Sequence, residues 1–307
     1  MHILTAEQFN TSQIEKIFRR ADYLRGQSAT LAGRKKVYKL HEGRQLCSIF
    51  FQPSTRTRLS FEIAATKLGM GVISTENARE HSSSAKGETI EDTAKILDGY
   101  DVDLIVMRHY EAGAVARAAA VCKTPVINAG DGTGEHPTQA LLDAYAIKQA
   151  HGRLTKLNVV IGGDLSHGRT VRSLSWLLSK YPKNHIVFVS IPELRVGSDV
   201  KKFLKASGTT FEETSDVKAA LAGADVVYWT RLQAEYLKDP KAVSKGFSLN
   251  EKSIDVMKKT AILMHPLPRV DEIAPAVDAD PRAAYFRQAA GGLYVRMALI
   301  DTVIQNG

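Results

Sequence analysis

Residues 50 to 62 read Phe50-Phe51-Gln52-Pro53-Ser54-Thr55-Arg56-Thr57-Arg58-Leu59-Ser60-Phe61-Glu62. An apolar, β-rich run over 46–51 gives way to hydroxyl residues and arginines. The helical spacing of Leu59, Ile63 and Leu68 follows, and Gly69 ends it. A helix that starts directly after a buried strand exposes its first N–H groups and the positive end of its dipole, so Ser54, Thr55, Arg56 and Thr57 form a cradle for an anion. The dipole contributes only about 0.3–1 kcal/mol. Most of the grip therefore comes from the hydroxyls and from Arg56, whose guanidinium can hold phosphate oxygens in pairs. Ser and Thr by themselves are ordinary helix caps. It is the run Ser-Thr-Arg-Thr-Arg set after a buried strand that points to phosphate.

Outward from this stretch the same alternation of short apolar runs and helical patterns repeats. Residues 46–51, 72–75, 104–107 and 126–129 form a first series of strands, and 159–162, 186–191, 226–230 and 261–265 a second. The expected fold is two doubly wound α/β domains, each with a mainly parallel sheet, joined by bridging helices. The first domain covers 1–148 and 290–307, and the second 149–289. A helix over 137–152, with Pro at its first turn and Gly at its end, suits a bridge. The helical stretch 293–304 is expected to pack back on the first half. The opening helix shows Ser12 and Glu15 at capping-box spacing, followed by Ile14, Ile17, Phe18, Ala21 and Leu24 at helical intervals.

The bulk composition narrows the function. Among 307 residues, 41 Lys and Arg face 33 Asp and Glu, a net charge of +8 that suits anionic ligands. The basic residues are scattered, and the one compact run, Arg34-Lys35-Lys36, is too short for a nucleic-acid arm. Cys47 and Cys122 show no CxxC spacing, so neither a disulfide framework nor a metal site is expected. No stretch is apolar enough for a membrane span, and residues 1–20 lack the apolar centre of a signal peptide, so a cytoplasmic location is expected. No GxxxxGK[ST] occurs, and Gly130-Asp131-Gly132-Thr133-Gly134 has the wrong spacing for a dinucleotide fingerprint. No cofactor is expected.

That glycine-rich turn instead delivers Glu135-His136-Pro137-Thr138-Gln139 at the end of a strand, where open α/β sheets bind ligands. Histidine can donate to a polarised carbonyl, and Gln139, three residues on, can orient an amide. A lone histidine at a turn is usually structural. Its claim rests on the company it keeps.

That company resembles one family. Ser54-Thr55-Arg56-Thr57, Val106-Met107-Arg108-His109, Asn128-Ala129-Gly130-Asp131-Gly132, His136-Pro137-Thr138-Gln139, Gly168-Arg169-Thr170, Thr230-Arg231-Leu232-Gln233 and His265-Pro266-Leu267-Pro268-Arg269-Val270-Asp271-Glu272 are similar, in the same order, to aspartate carbamoyltransferase catalytic chains. The last segment separates them from ornithine carbamoyltransferases, which carry a His-Cys-Leu-Pro pattern there. The resemblance implies transfer of a carbamoyl group from carbamoyl phosphate to the L-aspartate amine, the committed step of pyrimidine biosynthesis. It implies that 54–57 bind the phosphate, and that Arg108, His136 and Gln139 hold the carbamoyl end. Arg169, Arg231 and Gln233 would receive the aspartate carboxylates, while Pro266 and Leu267 offer backbone carbonyls to the amines. Leu267-Pro268 is a candidate cis bond. The segment Ser82-Ser83-Ser84-Ala85-Lys86-Gly87-Glu88-Thr89 is by composition a flexible polar loop. By resemblance it is the loop lent to a neighbour's site, with Ser82 and Lys86 as its working residues, which implies a homotrimer with shared sites and leaves room for regulatory chains.

No GxSxG elbow appears and neither cysteine has basic neighbours in sequence, so no covalent intermediate is expected. Thr57, Arg108 and His136 are the expected oxyanion donors, with Lys86 assisting. Gln52 stands where many family members carry a glutamate, and Tyr236 where they carry a basic residue, so the contacts that hold the family's closed form differ here. Two other readings are an acceptor other than aspartate and a catalytically silent scaffold that binds phosphate ligands.

Overall fold

The computed structural model describes residues 1–231 and 247–306. The chain divides into two compact units, residues 1–141 with 290–307, and residues 142–289. Among the described residues no helix is long and apolar enough to cross a membrane.

In the first unit, α1 (Thr11–Ser28) and α2 (Leu31–Tyr38) precede β1 (Gln45–Phe50), α3 (Thr55–Lys67), β2 (Gly71–Glu76) and the short α4 (Ala78–His81). A 3-10 turn (Ser83–Lys86), α5 (Ile90–Gly99), β3 (Leu104–His109), α6 (Ala114–Ala120), β4 (Val126–Asp131) and α7 (Pro137–His151) follow. The four strands run parallel in the order β2-β1-β3-β4. The chain steps from β1 to β2 on one side and then crosses to β3 on the other, which places the switch point between β1 and β3. Ile3 continues the sheet past β4, its N–H donating to Val126 and its carbonyl accepting from Asn128, at 2.8 and 2.7 Å.

The second unit repeats the plan with β5 (Asn158–Gly162), α8 (Arg169–Ser179), β6 (His185–Val189), α9 (Ser198–Ala206), β7 (Thr210–Thr214), α10 (Val217–Gly223), β8 (Val226–Trp229) and β9 (Ile262–Met264). Its strands are also parallel, in the order β7-β6-β5-β8-β9, so this switch point lies between β5 and β8. Val160, Val227, Trp229, Leu263 and Tyr285 centre its core. The indole N–H of Trp229 donates to the Phe247 carbonyl at 2.9 Å, so the polar edge of this fully buried ring is satisfied. Both unit divisions fall within helices, one in α7 and one in the C-terminal helix Tyr285–Gln305.

Two doubly wound parallel sheets are thus present, as the alternation predicts, with three local differences. The cap of α1 is Asn10 with Gln13, not Ser12 with Glu15; the Asn10 side chain accepts from the Gln13 N–H and the Gln13 side chain from the Asn10 N–H, both at 2.9 Å. An Asn side chain caps as well as a Ser does, and the helix simply begins two residues earlier than the Ser-x-x-Glu spacing indicates. Its inward face is Ile14, Ile17, Phe18, Ala21 and Leu24, as expected. On α3 two of the three expected apolar positions face out: Leu59 and Ile63 are 41% and 46% exposed, whereas Leu68 is buried, as are Phe61, Ala64 and Ala65. Small alanines let the helix approach the sheet, and they carry little weight in an apolar-periodicity reading. Strand β7, with the sequence Thr-Phe-Glu-Glu-Thr, was not anticipated because an edge strand needs few apolar residues.

One buried carboxylate ties three parts of the first unit together. Asp301, on the C-terminal helix, accepts from Arg20 of α1 at 2.8 Å, from His41 before β1 at 2.9 Å and from Gln305 at 3.0 Å. Burial alone would raise the Asp301 pKa, but the hydrogen bonds from His41 and Arg20 outweigh it and hold the carboxyl below its ordinary value. A depressed carboxylate pKa contributes stability that is present above the unfolded value of about 4 and is lost as the pH falls through the folded value. Asp301→Ala should cost about 3 kcal/mol or more at neutral pH, because it strands His41 and Arg20. Urea unfolding should show this cost shrinking as the pH falls below about 4. A variant as stable as wild type at neutral pH would remove Asp301 from this role.

Candidate active site

The carboxyl ends of parallel strands share one sheet edge, and the residues singled out in the first unit lie at consecutive strand ends there. After β1, Phe51 donates its N–H to the Arg108 carbonyl at 2.9 Å, and the chain turns into α3 with Ser54 at the cap position. The Ser54 hydroxyl makes no capping bond, and the Ser54 carbonyl accepts the Arg58 N–H at 3.1 Å, the helix's first bond. The start of α3, with the backbone amides of its first turn, thus lies at this edge. Thr57 is buried, and Thr55 and Arg56 are exposed. Arg58 is committed to Glu62 at 3.2 Å and Glu76 at 3.0 Å, whereas no ion pair of Arg56 occurs among the described residues.

Arg108 is the penultimate residue of β3, half-buried, with Nη1 3.3 Å from the Ala129 carbonyl. Strand β4 ends at Asp131, whose carboxylate accepts from the Glu135 N–H at 2.7 Å and the Gly113 N–H at 2.8 Å. Gly132 follows with φ +49°, and a Cβ there would lie 2.5 Å from the Tyr110 carbonyl oxygen, so the tight turn demands glycine. The turn ends at His136, which is 4% exposed and whose carbonyl accepts from Gln139 and Ala140 at 3.0 and 3.2 Å. His136 therefore caps α7, with buried Thr138 and Gln139 in its first turn.

The polar segment after β2 contains a 3-10 turn. Ser82 caps the 3-10 turn, its hydroxyl donating to the Ala78 carbonyl at 2.5 Å and accepting the Ser84 N–H at 3.2 Å. Lys86 closes that turn and is exposed.

In the second unit the singled-out residues again follow adjacent strand ends. Strand β5 leads into Gly163, at φ +107°, where a Cβ would lie 2.2 Å from the Thr230 carbonyl oxygen. Thr230 in turn donates its N–H and its hydroxyl to the Gly162 carbonyl at 2.8 and 3.0 Å, locking the ends of β5 and β8 together. Asp164, 1% exposed, accepts the Ser166 and His167 amides at 3.2 and 3.0 Å and shapes the loop that ends at Arg169, the first residue of α8. Arg231 follows β8 and is exposed. Pro266 and Leu267 follow β9, Leu267 lies in the left-handed region at φ +55°, and Leu267-Pro268 is cis. Gln233 and Tyr236 lie outside the described residues. The side-chain oxygen of Gln52 is buried without a hydrogen-bond partner among the described residues.

Neither cysteine is a candidate nucleophile. Burial pushes the Cys47 thiol up to about 11 and raises that of Cys122 as well, so both stay protonated near neutrality. Sequence reasoning missed Asp131 and Asp164 as shaping residues. Each follows a glycine at the carboxyl end of a strand, a Gly-Asp signal that occurs in both halves.

Cationic side chains at the switch point of each of two doubly wound sheets, with hydroxyl residues beside them in the first unit, are the features of an enzyme-like chain suited to anionic small molecules. Residues 1–149 match the model of the aspartate/ornithine carbamoyltransferase carbamoyl-P binding domain, and residues 155–303 that of the Asp/Orn binding domain. The chain belongs to the aspartate/ornithine carbamoyltransferase family. It is 47% identical to the chloroplastic aspartate carbamoyltransferase of Oryza sativa subsp. japonica, over 98% of this chain and 84% of that protein. The catalytic subunit of M. jannaschii aspartate transcarbamoylase superposes with a TM-score of 0.91 at 39% identity, covering 100% of this chain and 98% of that one. Aspartate transcarbamoylase from Trypanosoma cruzi, solved in complex with carbamoyl phosphate and aspartate, superposes with a TM-score of 0.91 at 36% identity, covering 98% and 94%.

Gly163→Ala forces a Cβ into the Thr230 carbonyl at a backbone angle unsuited to alanine, and should cost about 1–3 kcal/mol. Differential scanning calorimetry should show a melting temperature several degrees lower. An unchanged melting temperature would mean the β5–β8 junction is not the tight contact described.

Proposed function

We propose that this chain is an aspartate carbamoyltransferase. It transfers the carbamoyl group of carbamoyl phosphate to the amine of L-aspartate, giving N-carbamoyl-L-aspartate and phosphate for pyrimidine synthesis. The observation that carries the reading is the coincidence of both switch points with the side chains the two substrates need. A hydroxyl-and-arginine cradle opens α3 beside β1, and guanidinium groups follow β5 and β8. Carbamoyl phosphate is held by Ser54, Thr55, Arg56 and Thr57 at the phosphate and by Arg108, His136 and Gln139 at the carbamoyl end. The carboxylates of aspartate go to Arg169, Arg231 and Gln233, which disfavours ornithine because its second amine would meet guanidinium groups.

The amine nitrogen attacks the carbamoyl carbon, a C–N bond forms, and the bond from carbon to the bridging phosphate oxygen breaks. The leaving phosphate accepts the amine proton, so no strong protein base is needed. Thr57, Arg108 and His136 donate to the carbonyl oxygen as it gains charge, and Pro266 and Leu267 orient the amines through their carbonyls. An oxyanion donor contributes about 2.7–4 kcal/mol, so Arg108→Ala and His136→Ala should each lower kcat roughly a hundredfold or more. Arg231→Ala should instead raise the KM for aspartate. Carbamoylaspartate formation from aspartate, ornithine, putrescine and diaminopropionate tests the acceptor, and turnover with ornithine equal to that with aspartate would overturn it.

The same reading makes the working form a homotrimer in the cytoplasm, with Ser82 and Lys86 contributed to a neighbour's site. Mixing two inactive variants, Lys86→Ala and His136→Ala, after mild dissociation should restore activity, since some sites then receive both intact residues. No recovery from re-formed mixed trimers would show that each site is built from one chain.

A further inference from the structure

We infer that His265 is a positioning residue: its imidazole fixes the Leu267 amide and thereby the direction in which the Pro266 carbonyl points. This role rests on the proposed use of the Pro266 and Leu267 carbonyls as acceptors for the reacting amines. His265 follows β9 and is 1% exposed. Its Nδ1 accepts the Leu267 N–H at 2.8 Å, so Nδ1 carries no proton. The ring's single proton therefore sits on Nε2, which faces Glu272 Oε1 at 2.8 Å. Glu272 is 4% exposed and also accepts the Val270 N–H at 3.2 Å. The loop that follows β9 is thus held by the Leu267 N–H on the His265 ring, by the close approach of that ring to Glu272, and by the Val270 N–H on Glu272.

The consequence for Pro266 follows from peptide planarity. The Pro266 C=O and the Leu267 N–H belong to one rigid peptide unit and point in opposite directions when it is trans. Among the described residues only Leu267-Pro268 is cis, so the 266–267 unit is trans, and an imidazole holding the N–H aims the carbonyl away from itself. Leu267 needs such a hold, since its φ of +55° places a branched side chain in a region that costs about 1–2 kcal/mol. The ring is itself anchored. The His265 N–H donates to Gln288 Oε1 at 3.1 Å, and Gln288 Nε2 donates to Asp143 Oδ1 at 2.5 Å, tying the loop to the C-terminal helix and α7. Glu272 favours the same tautomer: a carboxylate 2.8 Å from Nε2 suits a proton there and leaves the lone pair at Nδ1.

Two substitutions separate positioning from packing. His265→Asn keeps an acceptor oxygen near the place of Nδ1 and loses the donor to Glu272. His265→Gln reaches Glu272 with an amide donor and offers the Leu267 N–H no acceptor. If His265 positions the carbonyl, the Asn variant retains kcat within roughly fivefold of wild type, and the Gln variant loses roughly tenfold to a hundredfold. Inhibition by inorganic phosphate should be unchanged in both, because residues 54–57 are untouched. Equal losses in the two variants, or losses that track melting temperature, would overturn the inference. Nitrogen-15 NMR of the wild-type protein labelled at histidine gives an answer that needs no variant to fold. It should show His265 neutral and protonated at Nε2 at neutral pH, and a ring protonated at Nδ1 would refute the assignment. A wild-type protein that forms no carbamoylaspartate would overturn the transferase reading, and this role with it, in a way neither variant result could mimic.

Discussion

The reversal of strand order within each parallel sheet is the constraint on which the rest depends. Parallel strands send every carboxyl end to the same edge, and right-handed crossovers force the chain to leave the central strand in one direction and return on the other. Two neighbouring loops then part company at the switch point and leave room for a ligand. In the first unit the switch point lies between β1 and β3, with Ser54 to Thr57 where the chain enters α3 and Arg108 at the end of β3; in the second it lies between β5 and β8, with Arg169 at the start of α8 and Arg231 after β8. Neither arrangement asks anything unusual of the core, which is filled by ordinary branched and aromatic residues. The candidate site residues gather at strand ends and helix starts, which the sheet places along one edge.

Much of this was legible before any coordinates. Strands buried on both faces, such as Leu-Ile-Val-Met in β3 and Val-Val-Ile-Gly in β5, are apolar almost throughout and stand out from the helical patterns around them. The start of α3 was legible for a related reason, since a helix start is marked by hydroxyl residue types such as Ser54 and Thr55. What stayed hidden was set by contacts distant in sequence. Alanine-rich inward faces on α3, the polar edge strand β7, and the choice between Asn10 and Ser12 as a cap all turn on what a residue meets in the folded chain. His265 stayed hidden for the same reason: nothing in the sequence says that its ring folds back to the amide two residues on while facing a carboxylate seven residues away.

The buried carboxylates raise an electrostatic question that the hydrogen bonds answer. A site that recruits phosphate or carboxylate ligands loses attraction to every uncompensated negative charge nearby, and Coulomb interactions strengthen where water is excluded. Asp131 and Asp164 nevertheless lie in the very loops that lead to His136 and Arg169, each almost fully buried. The charge of Asp131 is spread over the amides of Gly113 and Glu135 and the Asn128 side chain, and that of Asp164 over the amides of Ser166 and His167 and the His167 ring. Glu272 meets the His265 ring and the Val270 amide. In each case backbone or ring donors answer the carboxylate locally, so it shapes a loop while its field is damped before it reaches the ligand edge. An asparagine could accept some of these hydrogen bonds, but it carries less charge to hold two or three amides at once, and hydrogen bonds to an ionised acceptor are roughly twice as strong. This chain thus uses buried anions to hold loop backbone, and its +8 net charge leaves cations in excess elsewhere.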